Sequence, residues 1–538
     1  MDNKFKCIKI SIGEILYYLF FFTMLMAKGM GLYEGMWSYS ICLVFALGCV
    51  FFKLLLERHT ILELVGILFL GFLGLIIYKI SGDKAPLIFI SLIIGLKGIS
   101  ISRIFKLGFP IWLFCLIVRA TLAMSGIEKG FVLAHEKLGL GSILRWSFGY
   151  PHPNVLQITY AVLVAFILFL TNKKGKELCK LLVLLFLGNL FIFLYAVSYT
   201  GFVLTTLMLL MYFYFVSRKE FTVPERIVIN CILPFSILFS VIGPLLTGEG
   251  MIFANLDRLM NKILNMRYIA SRIYLLNGIS LFGKNYSEVD LGFALDCSFV
   301  SLLVNNGIVL FLLVIGLYAG AIHFYLKNNK RKELAIILAF IITGISEPFL
   351  FNTSFKNLSF LFLGEYIFYK MSYYKEMFPS SILNKSVGIN LTEKSMVINM
   401  TTFYWLKKIV TKLWQKNKKV IIIISFFCGV LLASIYEIYN KSPDAIYVSV
   451  SNTDCQEREK YYLDLENLPE DFNSLVYEYQ GKDVPLYRFE GKMIILERIR
   501  DTFGWWFIGS FFVGIIIIII YIIKKGSVNK IVCKKVVK

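Results

Sequence analysis

The run from Arg145 to Asn154 brings together side chains that can do chemistry where a membrane helix begins. It reads RWSFGYPHPN and holds an arginine, a histidine and an asparagine. Pro151 and Pro153 restrict the backbone on both sides of His152, which suits a side chain that must be aimed. A neutral imidazole, with an unperturbed pKa of about 6.5, can take a proton from an attacking hydroxyl. His152 is therefore a candidate general base, and the alternative is an interfacial histidine bonded to a carbonyl.

A second cationic concentration lies in the longest loop on the same side of the membrane, residues 247–297. Between residues 253 and 284 this loop has one acid, Asp257, and five bases: Arg258, Lys262, Arg267, Arg272 and Lys284. Cytoplasmic loops normally carry the excess of lysine and arginine. A cationic concentration on the other side therefore favours an anionic ligand that is handled there.

Helical spacing of apolar residues predicts a single helix through 256–279, with Arg258 and Arg272 on its polar face. Arg267 falls inside the apolar stripe, where an unpaired charge costs on the order of several kcal/mol. Arg267 therefore contacts either an anionic ligand or a structural partner such as Glu347. Glu347, which precedes Pro348, can hold an arginine or bind sugar hydroxyls.

Arg119 is a charged residue inside a predicted membrane span. It lies about seven residues, or roughly 10 Å, below the outer end of that span. Charged residues at such a depth usually face the bundle interior or a water-filled cavity and mark a functional path. The alternative is an arginine that extends to the membrane interface.

Membrane helices must position these residues. Of the 538 residues, 58% are hydrophobic, the mean hydropathy is +0.72, and apolar runs of about 18 residues recur from end to end. This composition excludes a soluble globular protein and predicts an all-α polytopic membrane protein. We predict about fourteen spans, near residues 10–27, 37–52, 61–80, 85–101, 106–126, 154–171, 177–197, 201–216, 227–246, 298–325, 334–351, 357–371, 420–438 and 504–523.

Basic clusters predict the orientation of these spans. The clusters between alternate spans all fall on the same side as the N-terminus, so the positive-inside rule places both termini in the cytoplasm. Residues 145–154 and 247–297 then face outward. The net charge of +21 is mostly this bias, and it does not indicate a nucleic-acid partner.

The ten cysteines show no CxxC and no Cys/His spacing, so we predict no metal site, no other cofactor and no disulfide framework. Cys297 and Cys455 are the two cysteines in outer loops, and a bridge between them is an alternative.

The chain after residue 371 has a different organisation. Residues 372–418 form a predicted cytoplasmic linker that ends in an amphipathic helix lying on the anionic inner leaflet. Residues 419–523 form a two-span hairpin around a small outer domain, 439–503, which has thirteen acids and eight bases. Residues 445–450 and 493–496 are strand candidates in that domain. A basic cytoplasmic tail follows at 524–538.

The motif residues resemble those of the Wzy-type polymerases of capsular polysaccharide and O-antigen repeat units. The R-x-S-x-G-x-x-H-P-N pattern of the capsular branch is matched by Arg145, Ser147, Gly149, His152, Pro153 and Asn154. An S-R-x10-G element is matched by Ser271, Arg272 and Gly283, and the spacing recurs between Arg267 and Gly278. Glutamate and asparagine before the family's last helix are matched by Glu347, Asn352 and Asn357. The chain departs at residues 198–200, Ser-Tyr-Thr, where many relatives have S-R-T. The resemblance covers about residues 1–371.

The resemblance implies a GT-C-like helical glycosyltransferase of the bacterial plasma membrane. Such an enzyme moves a growing glycan from undecaprenyl pyrophosphate to a hydroxyl of a lipid-linked repeat unit, and guanidinium groups can stabilise the leaving pyrophosphate. We therefore expect His152, Arg272 and Arg145 to be catalytic, with Arg272 on the donor pyrophosphate. We expect the substrate-binding residues to be Arg267, Arg119, Asn154, Arg258 and Glu347. The expected partners are lipid-linked repeat units, membrane lipids, and a chain-length regulator or flippase of the same pathway.

Two alternatives to a polymerase stay open. An O-antigen-ligase-like enzyme shares the donor and the chemistry but passes the glycan to another acceptor. A lipid-linked oligosaccharide flippase has a similar number of spans, although it needs no long loop on one side. The C-terminal hairpin loosely resembles chain-length regulators. We therefore expect residues 372–538 to tune polymer length or partner docking, with the transfer chemistry in residues 1–371.

Overall fold

The computed structural model describes residues 7–125, 127, 132–137, 141–248, 250–251, 253–285, 294–389, 391–392, 395–399, 401–440, 445–449, 460–463, 476–479, 482–489 and 491–536. Most of these residues are helical. The described helices are α1 (Ile12–Gly29), α2 (Trp37–Leu56), α3 (Ile61–Ser81), α4 (Ala85–Ile94), α5 (Ile101–Met124), α6 (Pro153–Leu170), α7 (Gly175–Ala196), α8 (Tyr199–Ser217), α9 (Val223–Leu246), α10 (Ala254–Ile263), α11 (Arg267–Leu276), α12 (Ser298–Asn305), α13 (Gly307–Lys327), α14 (Arg331–Thr343), α15 (Ser359–Met377), α16 (Thr401–Tyr439) and α17 (Lys492–Val536).

Eleven of the described helices are long and apolar enough to cross a membrane. They coincide with eleven of the predicted spans, which confirms a multi-pass helical membrane protein. The other three predicted spans correspond to α4, α14 and α15, of which α4 has 10 residues and α14 has 13. Such helices are shorter than the roughly 20 residues that cross the hydrocarbon core.

Helix α14 lies at the centre of the bundle although it is short. Every side chain from Leu334 to Ile341 is fully buried, and α14 packs against α6, α8, α9, α13 and α15. Helix α6 is the most buried of the long helices. The chain that follows α14 and the chain that precedes α6 therefore meet at the centre of one end of the bundle. We call this end the Glu347 end, and the opposite end, which holds Lys53, the Lys53 end.

The large loop at the Glu347 end contains two helices where a single one was predicted. Helix α10 ends at Ile263, and Asn265 and Met266 have φ of 52° and 64°. The buried Asn261 holds this turn, because its carbonyl accepts a hydrogen bond from the Met266 N–H at 2.9 Å. Its side-chain oxygen accepts another from the Ile269 N–H at 2.9 Å. The prediction of one helix through 256–279 is wrong for this reason.

The described strands form four small antiparallel sheets. They are β1 (Cys7–Ser11), β2 (His59–Thr60), β3 (Val132–Lys137), β4 (Gly141–Trp146), β5 (Ser386–Val387), β6 (Ser395–Asn399), β7 (Ala445–Ser449), β8 (Lys460–Leu463), β9 (Val476–Tyr479) and β10 (Lys482–Phe489). Strand β1 pairs with β6 and β2 with β5, which ties the linker after α15 to the N-terminal segment and to the turn between α2 and α3. A hairpin of β3 and β4 leads into the motif at residues 145–154, whose first two residues, Arg145 and Trp146, end strand β4.

The C-terminal segment differs from its prediction in two places. Residues 401–439 form one unbroken helix, which at 1.5 Å per residue is about twice as long as the hydrocarbon core is thick. The amphipathic stretch therefore continues the span and does not lie flat as a separate surface helix. Residues 493–496 belong to α17, so a strand there is wrong, whereas 445–449 is a strand. The order β8-β7-β10-β9 makes a four-stranded sheet between α16 and α17.

Candidate anion-binding site

Glu347 is a buried carboxyl at the centre of the Glu347 end, just beyond the end of α14. It accepts a hydrogen bond from the hydroxyl of Thr200, the second residue of α8. Its backbone carbonyl accepts another from Ser298 at the start of α12. Burial raises the pKa of Glu347, while Arg267 and the Thr200 hydroxyl oppose that rise. Thr200 is the threonine that the chain shares with the S-R-T pattern, and the departure from that pattern is Tyr199, which stands beside it in place of an arginine.

Arg267, the first residue of α11, is paired with two carboxylates. Its Nε and Nη2 lie 3.1 and 3.0 Å from Oδ2 of Asp296, and Nη2 lies 3.5 Å from Oε1 of Glu347. The Arg267 side chain is 11% exposed. The structural alternative for Arg267, an ion pair with Glu347, is confirmed. Asp296 is a second partner that the apolar stripe did not indicate.

Arg145, on strand β4, is joined to its motif partner Asn154. Its Nη2 donates to Oδ1 of Asn154 at 2.6 Å, and its Nε donates to the Ala196 carbonyl at the end of α7 at 2.8 Å. Burial lowers the pKa of Arg145 to about 10, and the charge of Glu347 opposes this shift while that of Arg267 adds to it. The fold therefore brings Arg145 into the electrostatic range of both residues, although they are distant in sequence.

His152 is the N-cap of α6, and this position determines how its ring is bonded. Its Nδ1 accepts a hydrogen bond from the Asn154 N–H at 3.1 Å. In a neutral ring with Nδ1 accepting, the proton resides on Nε2, which is then a donor. Nε2 can accept a proton only in the other tautomer, which breaks the helix cap. The predicted role of His152 as a general base therefore requires the tautomer that this helix cap does not favour.

Arg119 points from α5 towards the motif turn at residues 147–150. Its Nη2 donates to the Gly149 carbonyl, and the guanidinium carbon lies 5.8 Å from the centre of the Tyr150 ring. The Tyr150 hydroxyl in turn donates to the Gly29 carbonyl at 3.0 Å. Arg119 is buried in the bundle, so it supports the turn and does not extend to an interface.

Two buried lysines near this cluster were missed by the sequence analysis. Lys356 is 4% exposed, and its ammonium donates to the Val155 carbonyl at 3.3 Å. Burial lowers its pKa to about 7, with repulsion from Lys28 adding to the shift and Glu347 opposing it. The Lys28 ammonium lies 3.7 Å from the centre of the Tyr39 ring. Each is a lone lysine in an apolar run on the side where basic residues are scarce, and that pattern was a usable signal.

Arg272 and Arg258 lie outside this cluster. Arg272 pairs with Asp257 and donates to the Pro244 carbonyl at 2.7 Å and to the Thr247 hydroxyl at 3.2 Å. These contacts tie α11 to the turn between α9 and α10. Arg258 is exposed on α10. The cationic residues of the loop are therefore distributed over the buried cluster, a structural network and an exposed face.

The glycines of the two R-x10-G elements adopt backbone conformations that favour glycine. Gly278 and Gly283 have φ of 95° and 89°, which favours glycine over residues with a Cβ. A Cβ at Gly283 would overlap the Asn305 carbonyl at the end of α12. The spacing therefore allows the loop after α11 to cross the α12–α13 junction at close range.

The remaining sequence predictions concern Cys297 and metal ligands. Cys297 is buried, and its Sγ lies 3.6 Å from the Gly344 carbonyl. The alternative bridge to Cys455 lies outside the described residues. Among the residues that the structure describes, no group of three or more His, Cys, Asp or Glu could hold a metal ion.

The cluster as a whole has more cations than carboxylates. We define the Glu347 cluster as Arg145, Arg267, Lys356, Lys28, Asp296 and Glu347. Because these groups, apart from the partly exposed Asp296, are largely removed from water, their fields act more strongly than they would on a surface. An anion with one or two charges complements such a cluster. Comparison of the chain with models of known protein families, with curated proteins and with solved structures gives no match.

Proposed function

We propose that this protein is a membrane glycosyltransferase that joins repeat units carried on undecaprenyl pyrophosphate, in the manner of the Wzy-type polymerases. The observation that carries the proposal is the Glu347 cluster. It unites Arg145, Arg267 and Glu347, three motif residues from separate parts of the sequence, in buried surroundings with an excess of positive charge. A pyrophosphate leaving group is the ligand that such a cluster suits.

The chemistry that we propose uses the cations as electrostatic catalysts. Bond breaking at the donor sugar places negative charge on the pyrophosphate, and fixed guanidinium donors lower the energy of that charge. The attacking hydroxyl must lose a proton. His152 remains our candidate base in its Nδ1-protonated tautomer, and Glu347 is a second candidate because its raised pKa brings it closer to neutrality. Because Nδ1 of His152 accepts the helix-cap hydrogen bond, both His152 and Glu347 should be tested as the base.

The exposed face of α10 supports a lipid-linked substrate, and the distribution of basic residues supports the orientation of the protein in the membrane. Helix α10 presents exposed apolar side chains beside the exposed Arg258, a combination that suits contact with lipid tails and headgroups; they are Leu256, Leu259 and Ile263. Basic clusters concentrate at the Lys53 end. We therefore propose a GT-C-like arrangement in the bacterial plasma membrane, with both termini in the cytoplasm and the Glu347 end outward.

The proposal is tested with the purified full-length protein in liposomes and a lipid-linked repeat unit as substrate. Formation of a glycan ladder on polyprenyl pyrophosphate supports a polymerase. Transfer to a different acceptor identifies a ligase-like enzyme, and movement of the lipid between leaflets without transfer identifies a flippase. Arg145→Gln should abolish ladder formation. The control Lys180→Gln, which removes an exposed lysine paired with the exposed Glu177, should not.

A further inference from the structure

The carboxyl end of α7 is held by two arginines that come from different parts of the chain. The last carbonyls of a helix lack partners within the helix and attract cations. Arg145 donates to the Ala196 carbonyl. Arg500, from α17, donates through Nε to the Leu194 carbonyl at 2.8 Å and through Nη2 to the Tyr195 carbonyl at 3.5 Å. The two guanidinium groups thus share one helix end.

Arg500 and its neighbour Glu497 also hold the strand that carries Arg145. Nη1 of Arg500 donates to the Leu144 carbonyl at 2.8 Å, and it is paired with Glu497. The Trp146 indole donates to Glu497, at 3.1 Å from Oε2 and 3.3 Å from Oε1. The contacts therefore fall on the residues immediately before and after Arg145 in β4.

The contact between the C-terminal segment and the bundle is extensive and buried. Arg500 is 0% and Glu497 2% exposed. The Tyr195 hydroxyl donates to the Arg500 carbonyl at 2.6 Å. An apolar cluster closes around the pair and draws on β4, the end of α7, β7, β10 and α17: Ile143, Leu144, Val197, Ile446, Phe489 and Met493. A fully buried ion pair adds little stability compared with apolar side chains of the same size. Its directional bonds instead determine the position of the backbone that it holds.

We propose that Arg500 and Glu497 are positioning residues for Arg145, and that the C-terminal hairpin is therefore part of the unit that transfers the glycan. The proposal rests on the proposed function, because it assigns Arg145 a place at the reacting pyrophosphate. It replaces the expectation that residues 372–538 act only on polymer length or partner docking. The physical reason is geometric, since a displacement of about 1 Å in a transition-state contact can cost about 100-fold in rate.

The test combines kinetics with hydrogen exchange on the full-length protein. Arg500→Met keeps the side-chain volume and removes every donor, whereas Arg500→Lys keeps the charge and loses the fork that reaches three carbonyls. The matched control is Arg498→Gln, two residues earlier on α17. Arg498 is 55% exposed and pairs with Glu437 of α16. Amide exchange is followed in residues 141–150 and 193–200, and kcat and KM are measured with the lipid-linked repeat unit.

We expect Arg500→Met to lower kcat by about 10- to 100-fold and to speed exchange in both segments, with KM changed by less than about threefold. Arg500→Lys should restore the yield of folded protein without restoring kcat. Arg498→Gln should match the wild type in both measurements. If Arg500→Met is not recovered as folded protein, Glu497→Gln takes its place, because it leaves Arg500 without its counter-charge at similar size.

Failure of this proposal is distinguishable from failure of the proposed function. Unchanged exchange around Arg145 in the Arg500 variants would overturn the positioning role, whatever happens to activity. Equal loss of kcat in Arg500→Met and Arg498→Gln would overturn it as well. Faster exchange in Arg500→Met, in a protein whose wild type makes no glycan linkage, would uphold the positioning role and refute the proposed function.

Discussion

Lys356 should make the stability of this protein depend on pH in an unusual direction. Burial next to Lys28 lowers the pKa of Lys356 from 10.5 to about 7 in the folded protein. Each tenfold change in proton affinity corresponds to about 1.4 kcal/mol, so keeping Lys356 charged in the fold costs on the order of 5 kcal/mol. Between pH 7 and 10.5 the unfolded chain binds more protons at this residue than the folded protein does. Folding stability should therefore rise with pH through that window.

The perturbation is Lys356→Met, which removes the charge at similar side-chain length. The variant should unfold at a higher temperature than the wild type. The difference should be largest below pH 7, where the full cost applies, and should shrink towards pH 10.5. Thermal unfolding of both proteins in the same detergent, from pH 6 to pH 10, measures it. Comparing the two proteins removes the contribution of other groups that titrate in the same range.

A phosphate ligand extends this prediction from stability to binding. An anion in the Glu347 cluster would raise the pKa of Lys356, so pyrophosphate binding at pH 8 should take up about one proton from solution. Calorimetry in two buffers of different ionisation enthalpy measures that uptake, and Lys356→Met should lose it. A difference in unfolding temperature that stays constant from pH 6 to pH 10 would refute the reasoning about Lys356, because the charge would then carry no cost in the fold.

Four further predictions concern the transfer reaction. His152→Asn keeps a side chain that caps α6 well, so a loss of about 100-fold in kcat would report the ring itself; a rise in KM alone would make His152 a ligand contact. Arg272→Ala and Asp257→Asn each break the pair that ties α11 to the turn between α9 and α10, so both should lower polymer formation to a similar extent; a loss confined to Arg272→Ala would return Arg272 to the donor site. Glu347→Gln should lower kcat while Arg267 keeps its pair with Asp296, and an unchanged rate would exclude Glu347 as a base. Truncation after about residue 375 should lower the rate of linkage formation by about 10- to 100-fold or more, because it removes Arg500 and Glu497 together; a truncated protein that joins repeats at the wild-type rate, with a changed length distribution, would restore the separate C-terminal role.

The amino-acid sequence by itself was sufficient for the membrane helices and for part of the cationic site. Hydropathy is a local property, and a run of about 20 apolar residues has few stable alternatives to a spanning helix. The same local logic predicted that Arg267, in an apolar stripe, needs an acidic partner, and the structure gives it two, Asp296 and Glu347. The contact of Arg145 with Asn154 likewise agrees with their closeness in sequence.

Only the tertiary structure decided which distant residues share a site. Hydropathy predicts a full span at residues 334–351, whereas α14 is a shorter helix. Its position at the centre of the bundle brings Glu347 to Thr200 and Arg267. The pKa of Lys356 is lowered to about 7 by its burial and by the neighbouring Lys28, and no local sequence pattern determines that shift. Arg272 and Arg267 belong to the same helix α11, but five residues place them about 140° apart around its axis, so Arg267 meets Glu347 while Arg272 pairs with Asp257. Arg500 reaches the end of α7 across more than 300 residues of chain. Contacts of this kind depend on how the side chains of distant elements pack against one another, and local composition does not determine that packing.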